Sequence, residues 1–222
     1  MERLCINSYL ANGHEFHLYA YNEILNVPGG TIMKNANDII PEREVYVDRF
    51  GGYVNLSNQF RFTMLHELGG WWVDMDTICL KPFDFEEEFV FSSEVIHHRN
   101  RVNNTYMKSQ PGAKYLKDCL DFLSVRGHEH IHWGELGITL LSRMIFRNRM
   151  EQYIQQPGCF CPVPCYRVDR LIGDPAPVLP ETSYALHLWH NMWKTLQIDK
   201  DAKFPDGSWY ETLKNRYVSS PG

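Results

Sequence analysis

Asp74 and Asp76, separated by one residue behind Trp71-Trp72-Val73, are the residues whose types and spacing speak most directly of chemistry. Read as the end of a strand, Trp71 to Asp76 alternates between faces, so the two carboxylates point one way and Val73 and Met75 the other. Two carboxylates on one side repel each other and are costly to desolvate. A cation or a set of hydroxyls between them resolves the conflict, and a divalent ion that is also bound to a diphosphate fits best. The pair therefore implies an enzyme acting on a nucleotide-activated substrate.

The element that must position this pair is the helix before it, expected from a cap at Ser57 to the Gly69-Gly70 break. At about 100° per residue, Phe60, Met64, Leu65 and Leu68 fall in one arc, and Gln59, Thr63, His66 and Glu67 fill the opposite one. Arg61 lands inside the apolar arc, with Asn58 at its edge. A guanidinium on an inward face needs a partner. Either Arg61 lines one cleft with the carboxylates, or it pairs with a structural carboxylate or snorkels outward.

Late in the chain, His187 and His190 lie in a Trp-rich stretch. An imidazole there could supply a third metal ligand, since Mn²⁺ accepts nitrogen as well as oxygen; the competing reading is a core His bonded to backbone. His97, His98, His128, His130 and His132 lack an acidic partner at helical spacing and read as loop or surface residues. Cys159, Cys161 and Cys165 lie close together, but Pro162 and Pro164 interrupt a spacing that is not that of a zinc ribbon. Reduced, partly buried thiols are expected there rather than a structural metal.

The remaining elements follow from capping and periodicity. Helices are expected over Met1–Asn12, from Pro111 to about Arg126, from Leu136 to about Met150 and over Trp209–Tyr217. Strands are expected over Phe16–Tyr21, Thr31–Met33, Trp71–Asp74, Phe89–Ser92, Thr105–Met107 and Tyr184–Trp189. This alternation argues for an α/β sandwich around a mostly parallel central sheet. With 222 residues, 44% hydrophobic, the chain can bury one sizeable core, so a single domain is expected. A net charge of −5 with scattered Lys and Arg argues against nucleic acid as the main partner. No apolar run approaches the roughly 20 residues of a membrane span, and no secretion signal opens the chain, which favours a cytoplasmic setting.

The stretch Ser57-Asn58-Gln59-Phe60-Arg61, Leu65, Gly69-Gly70, Asp74-Met75-Asp76 and Leu80-Lys81-Pro82-Phe83 resembles the sugar-binding Asp-x-Asp region of glycosyltransferase family 32 and its bacterial polysaccharide-type relatives. Gly13-His14-Glu15, Asn103-Asn104, Gln110-Pro111-Gly112, Trp133-Gly134-Glu135 and the run from Ala185 to Trp193 resemble its flanking blocks. The resemblance implies a single GT-A domain over residues 1–222, with residues 1–83 as the donor and metal part and residues 84–222 as the acceptor-side and C-terminal part. It implies a nucleotide-sugar donor, Mn²⁺ (or Mg²⁺), and transfer of a hexose with retention to a hydroxyl of a glycan or glycolipid acceptor. Polysaccharide or glycolipid synthesis, with peripheral contact at the inner face of the membrane, would be the setting.

By position in the resembled motif, Asp76 and His187 would hold the metal, and Asp74 the donor's ribose or sugar hydroxyls. Asn58 and Arg61 would contact the donor sugar, and Glu135 could take an acceptor-side role; the alternative for Glu135 is that it simply complements a helix dipole. Asn58 stands where the family more often has Asp, and Gly137-Ile138 where it has Gly-Pro. Trp71, Trp72, Trp133 and Trp189 could offer sugar-stacking faces, with core packing the competing reading. The rival functions are a catalytically silent sugar- or nucleotide-binding domain and a metal-dependent hydrolase, for which a second acidic cluster would be expected. Because the resembled fold opens with a strand before the helix matched here by Glu2–Asn12, the chain is expected to lack the first strand of its fold, through a mis-assigned start or a truncation, leaving a gap beside the strand at Phe16.

Overall fold

The computed structural model describes residues 1–132 and 134–218. Helix α1 (Glu2–Ala11) leads into β1 (Phe16–Ala20) and β2 (Thr31–Asn35); α2 (Val54–Leu68) leads into β3 (Gly70–Val73) and β4 (Thr77–Cys79). Strands β5 (Val90–Ile96) and β6 (Arg99–Ser109) precede α3 (Lys114–Arg126) and α4 (Leu140–Arg147). Short helices α5 (Pro157–Phe160) and α6 (Asp169–Ile172) come before β7 (Ala185–His187), and α7 (His190–Thr195) and α8 (Trp209–Tyr217) follow it.

The chain is mixed α/β, but its strands do not form one mostly parallel sheet. Strands β1 and β2 pair in parallel, Phe16 opposite Thr31 through Ala20 opposite Asn35. The three-stranded sheet β3–β6–β5 and the pair β4–β7 are antiparallel. The reason is in the connections: a parallel pair needs a crossover of about a dozen residues or more, whereas β5 and β6 are joined directly through His97 and His98, both at positive φ. Among the described residues β1 pairs only with β2, and β3 only with β6. Phe16 is buried against Tyr9 and Cys79, and residues of β1 and β3 line one cavity.

Two larger clusters make the core. In one, Phe62 and Leu65 of α2 pack with Leu116 of α3 and with Leu141 and Ile145 of α4, all fully buried. Each such side chain contributes roughly 1.5–3 kcal/mol. In the other, Ile78 of β4 and Leu186 of β7 pack with Phe160, Trp193 and Tyr210. The two clusters fix α2 on one side of the Asp74–Asp76 turn and β7 on the other. No helix among the described residues is long and apolar enough to cross a membrane.

The join between α2 and β3 depends on Gly69, which caps the helix at φ 67° and donates its N–H to Leu65 O. A Cβ there would lie 2.6 Å from Pro111 Cδ and 2.9 Å from Pro111 N, against a turn whose Gly112 N–H is itself bonded to His66 O. Gly69→Ala should therefore destabilise the fold by about 2–3 kcal/mol, from backbone strain and overpacking together. Thermal unfolding followed by circular dichroism should show a Tm lower by roughly 5–10 °C. An unchanged Tm would mean that the Pro111 turn yields freely.

Candidate metal and donor site

Asp74, Met75 and Asp76 do not belong to a strand: β3 ends at Val73, β4 begins at Thr77, and the three residues form the turn between them. Convergence of the two carboxylates comes from that turn and not from strand alternation. The turn is pinned at each residue of interest. Asp74 N–H donates to Thr105 O of β6 (3.1 Å), the Thr77 hydroxyl donates to Asp74 O (2.7 Å), and Leu188 N–H donates to Asp76 O (2.8 Å).

Arg61 reaches this turn from α2. Its Nη2 donates to Asp74 Oδ1 at 2.7 Å, its Nη1 to Asn104 O, and its guanidinium lies 4.8 Å from the Trp72 ring. Trp72 Nε1 adds a second bond to Asp74 Oδ1 at 2.8 Å. Asp74 is thus the partner that Arg61's buried position demanded, and both readings of Arg61 meet, because that carboxylate is one of the site pair. Burial pushes the Asp74 carboxyl up and the nearby Asp76 adds to that, while Arg61 pulls the other way. The inward face of α2 is Asn55, Leu56, Asn58, Arg61, Phe62, Met64 and Leu65; Leu68, expected inside, is exposed.

His187 brings β7 to the same point. Its Nε2 lies 3.2 Å from Asp76 Oδ2, its Nδ1 3.5 Å from the Thr105 hydroxyl, and the ring stacks near Trp189. Asp76 Oδ2 also accepts the His190 backbone N–H at 2.8 Å. Burial alone would raise the Asp76 carboxyl, but the His187 charge and these hydrogen bonds bring it down to about 2. Burial would lower His187, yet Asp76 raises it above the usual imidazole range. Each group thus favours the charged form of the other.

One ligand atom from each of Asp74, Asp76 and His187 lies within 4.8 Å of the others, the one such group among the described residues. Two carboxylate oxygens and an imidazole nitrogen suit a divalent cation that accepts nitrogen as well as oxygen. The charge also fits: Arg61 already balances Asp74, so Asp76 and a neutral His187 are the pair to take an ion. Cys159, Cys161 and Cys165 are free thiols outside that group. A divalent ion bound through His187 Nε2 would displace the proton that this nitrogen shares with Asp76. Mn²⁺ affinity should rise with pH until His187 is neutral without the metal, and titration calorimetry in buffers of different ionisation heat should register the released proton. Affinity independent of pH across the His187 titration would exclude the imidazole as a ligand.

The site opens on a cavity of about 1490 Å³, lined among others by Phe16, Leu18, Asn58, Arg61, Trp72, Asp74, Asp76, Asn104 and Lys194. Asn58 is buried and accepts from Asn104 Nδ2 at 2.7 Å. Glu135 is not among the lining residues: its carboxylate accepts the His132 N–H at 2.8 Å and lies 3.9 Å from Arg126, on its own turn. That turn, Glu135–Thr139, precedes α4 in place of the continuous helix expected from Leu136, and Gly137 is non-helical within it. A Cβ on Gly137 would meet Asn58 Nδ2 at 3.1 Å and Asn104 Nδ2 at 3.3 Å, so glycine keeps this wall off the two amides. Trp71 and Trp72 line the cavity; Trp189 is buried and bonded to Val163 O; Trp133 lies outside the described residues. Asn104, Thr105 and the His190 backbone were not singled out for the site by residue type, because a backbone donor and a β6 distortion leave no periodic signal.

Residues 13–102 match the family model described as glycosyltransferase sugar-binding region containing DXD motif. Over that segment the chain is similar to a glycosyltransferase family. The match takes in Asn58, Arg61, Asp74 and Asp76; His187 lies beyond it. Among solved structures the chain is similar to one titled PaToxG Glycosyltransferase, at a TM-score of 0.50 and 15% sequence identity, over 66% of this chain and 63% of that one. At that identity the likeness is one of fold, and this chain spans less than two thirds of the neighbour's length. Comparison with curated proteins gave no match.

Proposed function

We propose that this protein is a Mn²⁺-dependent retaining glycosyltransferase with a GT-A arrangement, moving a hexose from a nucleotide-sugar to a hydroxyl of a glycan or glycolipid. The single observation that carries the reading is the meeting of Asp76 and His187 at 3.2 Å beside the Arg61–Asp74 pair, at the edge of one large cavity. That constellation draws on residues 1–83 and on residues 84–222 together, so the donor side is not confined to the first part. Polysaccharide or glycolipid synthesis in the cytoplasm, at the inner face of the membrane, is the corresponding setting.

Asp76 and His187 would hold Mn²⁺ (or Mg²⁺), which would supply Lewis-acid stabilisation of the leaving diphosphate. The protein's own residues do the rest. Arg61 and Trp72 hold Asp74 Oδ1, fixing the carboxylate that accepts donor hydroxyls. The Asn58–Asn104 amide pair presents further hydrogen-bonding groups beside it. Lys194 of α7 lines the same cavity with His190 and Asn191, and would offer a cation to the diphosphate. The acceptor hydroxyl attacks the anomeric carbon on the face that the diphosphate leaves. The bond to acceptor oxygen forms as the bond to phosphate oxygen breaks, and the departing phosphate takes the proton. No protein nucleophile is required.

A panel of UDP- and GDP-sugars assayed for hydrolysis with and without Mn²⁺ tests the reading. Release of nucleoside diphosphate from at least one donor, abolished by chelation, is the expected result. Binding of a donor with no turnover in either condition would instead identify a silent binding domain.

A further inference from the structure

Strands β5 and β6 change register at one point: Phe91 pairs with Met107, but Ser93 pairs with Val102. Ser92 therefore stands opposite the four residues Asn103 to Tyr106, a wide bulge in an otherwise regular hairpin. Bulges of this kind re-aim side chains next to sites. Here two consecutive bulge residues hold four site residues from different parts of the fold. Asn104 accepts from Arg61 through its backbone oxygen and donates to Asn58 through its side chain. Thr105 accepts the Asp74 N–H through its backbone oxygen, and its hydroxyl lies 3.5 Å from His187 Nδ1.

What holds the bulge is a buried clasp away from the cavity. Asn103 Oδ1 accepts from the Ser92 hydroxyl at 2.7 Å and from the Thr105 N–H at 2.9 Å; Ser92 Oγ accepts the Tyr106 N–H at 3.1 Å. Asn103 and Ser92 are 2% and 0% exposed, and neither lines the cavity. We propose that Asn103 and Ser92 are positioning residues for the sugar part of the donor, acting through the bulge that carries Asn104 and Thr105. The inference rests on the donor reading above and adds to it a structural determinant of sugar recognition that touches no ligand.

The test is the ratio of affinities for nucleotide-sugar and free nucleoside diphosphate, measured with Mn²⁺ by titration calorimetry for UDP-glucose against UDP and GDP-mannose against GDP. Free nucleoside diphosphate reports the metal and the cavity; the ratio reports the sugar. Asn103→Ala should weaken the sugar's share about tenfold or more, the scale on which lost outer-sphere partners act. Asn103→Asp keeps an acceptor oxygen for both the Ser92 hydroxyl and the Thr105 N–H and should recover most of that loss. Ser92→Ala leaves the Asn103 amide in place and should shift the ratio in the same direction by about threefold. It decides the matter if the Asn103 variants unfold. An unchanged ratio in folded Ser92→Ala or Asn103→Ala protein overturns the inference while the donor reading stands. If the parent itself binds neither UDP nor GDP with Mn²⁺, the donor reading falls and this inference falls with it.

Discussion

Asp76→Asn should reduce Mn²⁺-dependent turnover by more than about a hundredfold, beyond the usual cost of losing an outer-sphere partner of a metal ligand. The asparagine keeps an oxygen for the His190 N–H, so the turn between β3 and β4 retains its anchor. What is lost is the charge that would face the ion and that now raises His187. The folded-state cost should be modest and calculable in sign. Asp76 is held down to about 2, so its stabilising share is present above the unfolded carboxylate range and disappears as pH falls toward 2. His187 is raised, so its share is present below the ordinary imidazole pKa and is lost as pH rises through the folded value. In metal-free protein the variant should therefore unfold more easily near pH 5–6 than the parent and resemble it more closely at alkaline pH, which chemical denaturation at several pH values will show. Turnover at the parental rate would refute the assignment of Asp76.

Arg61→Ala should have the largest double effect, on stability and on donor use together. Arg61 is 5% exposed in its side chain and Asp74 27%, and removing one partner of a largely buried pair costs about 3 kcal/mol through the charge left behind. Asn104 O loses its guanidinium donor as well. On the donor side, the carboxylate proposed to take sugar hydroxyls loses its orientation, and kcat/KM should fall by at least about tenfold at a temperature where the variant remains folded. Arg61→Lys should restore the charge but not the two-pronged contact, because an ammonium cannot bond Asp74 and Asn104 O in the same fork. A variant with a strongly lowered Tm and parental kcat/KM would make Arg61 a structural ion-pair residue only.

How much of this was legible in the sequence differs by element. The Asp74–Asp76 pair and the inward Arg61 were legible because each is a charged residue at a spacing or on a face that demands explanation; His187 was picked out by its place in the resembled motif, since its residue type alone left a core reading equally open. Helix α8 was legible end to end, its Ser208 side chain accepting from Glu211 N–H as a cap should. The start of α2 was not. Its N-terminus is satisfied from a distance, Asp48 accepting from Phe50, Gly52 and Asn55 N–H, so the helix begins at Val54 with no local cap and Ser57 lies inside it. Pro111 was read as a first-turn proline, but it belongs to the turn against Gly69, and α3 starts at Lys114. Strand direction was illegible for a different reason: alternation reports that a segment is extended, not which neighbour it pairs with. The bulge opposite Ser92 is likewise a property of two strands together, which no single stretch of sequence carries.

Mn²⁺ titration followed by electron paramagnetic resonance, with and without UDP or GDP, tests most directly the claim that Asp76 and His187 hold an ion which a nucleoside diphosphate completes. Parent protein should bind Mn²⁺ weakly alone and more tightly with one of the two nucleotides, and both His187→Ala and Asp76→Asn should lose that gain. Mn²⁺ affinity that is the same in parent and variants, and indifferent to either nucleotide, would contradict the account.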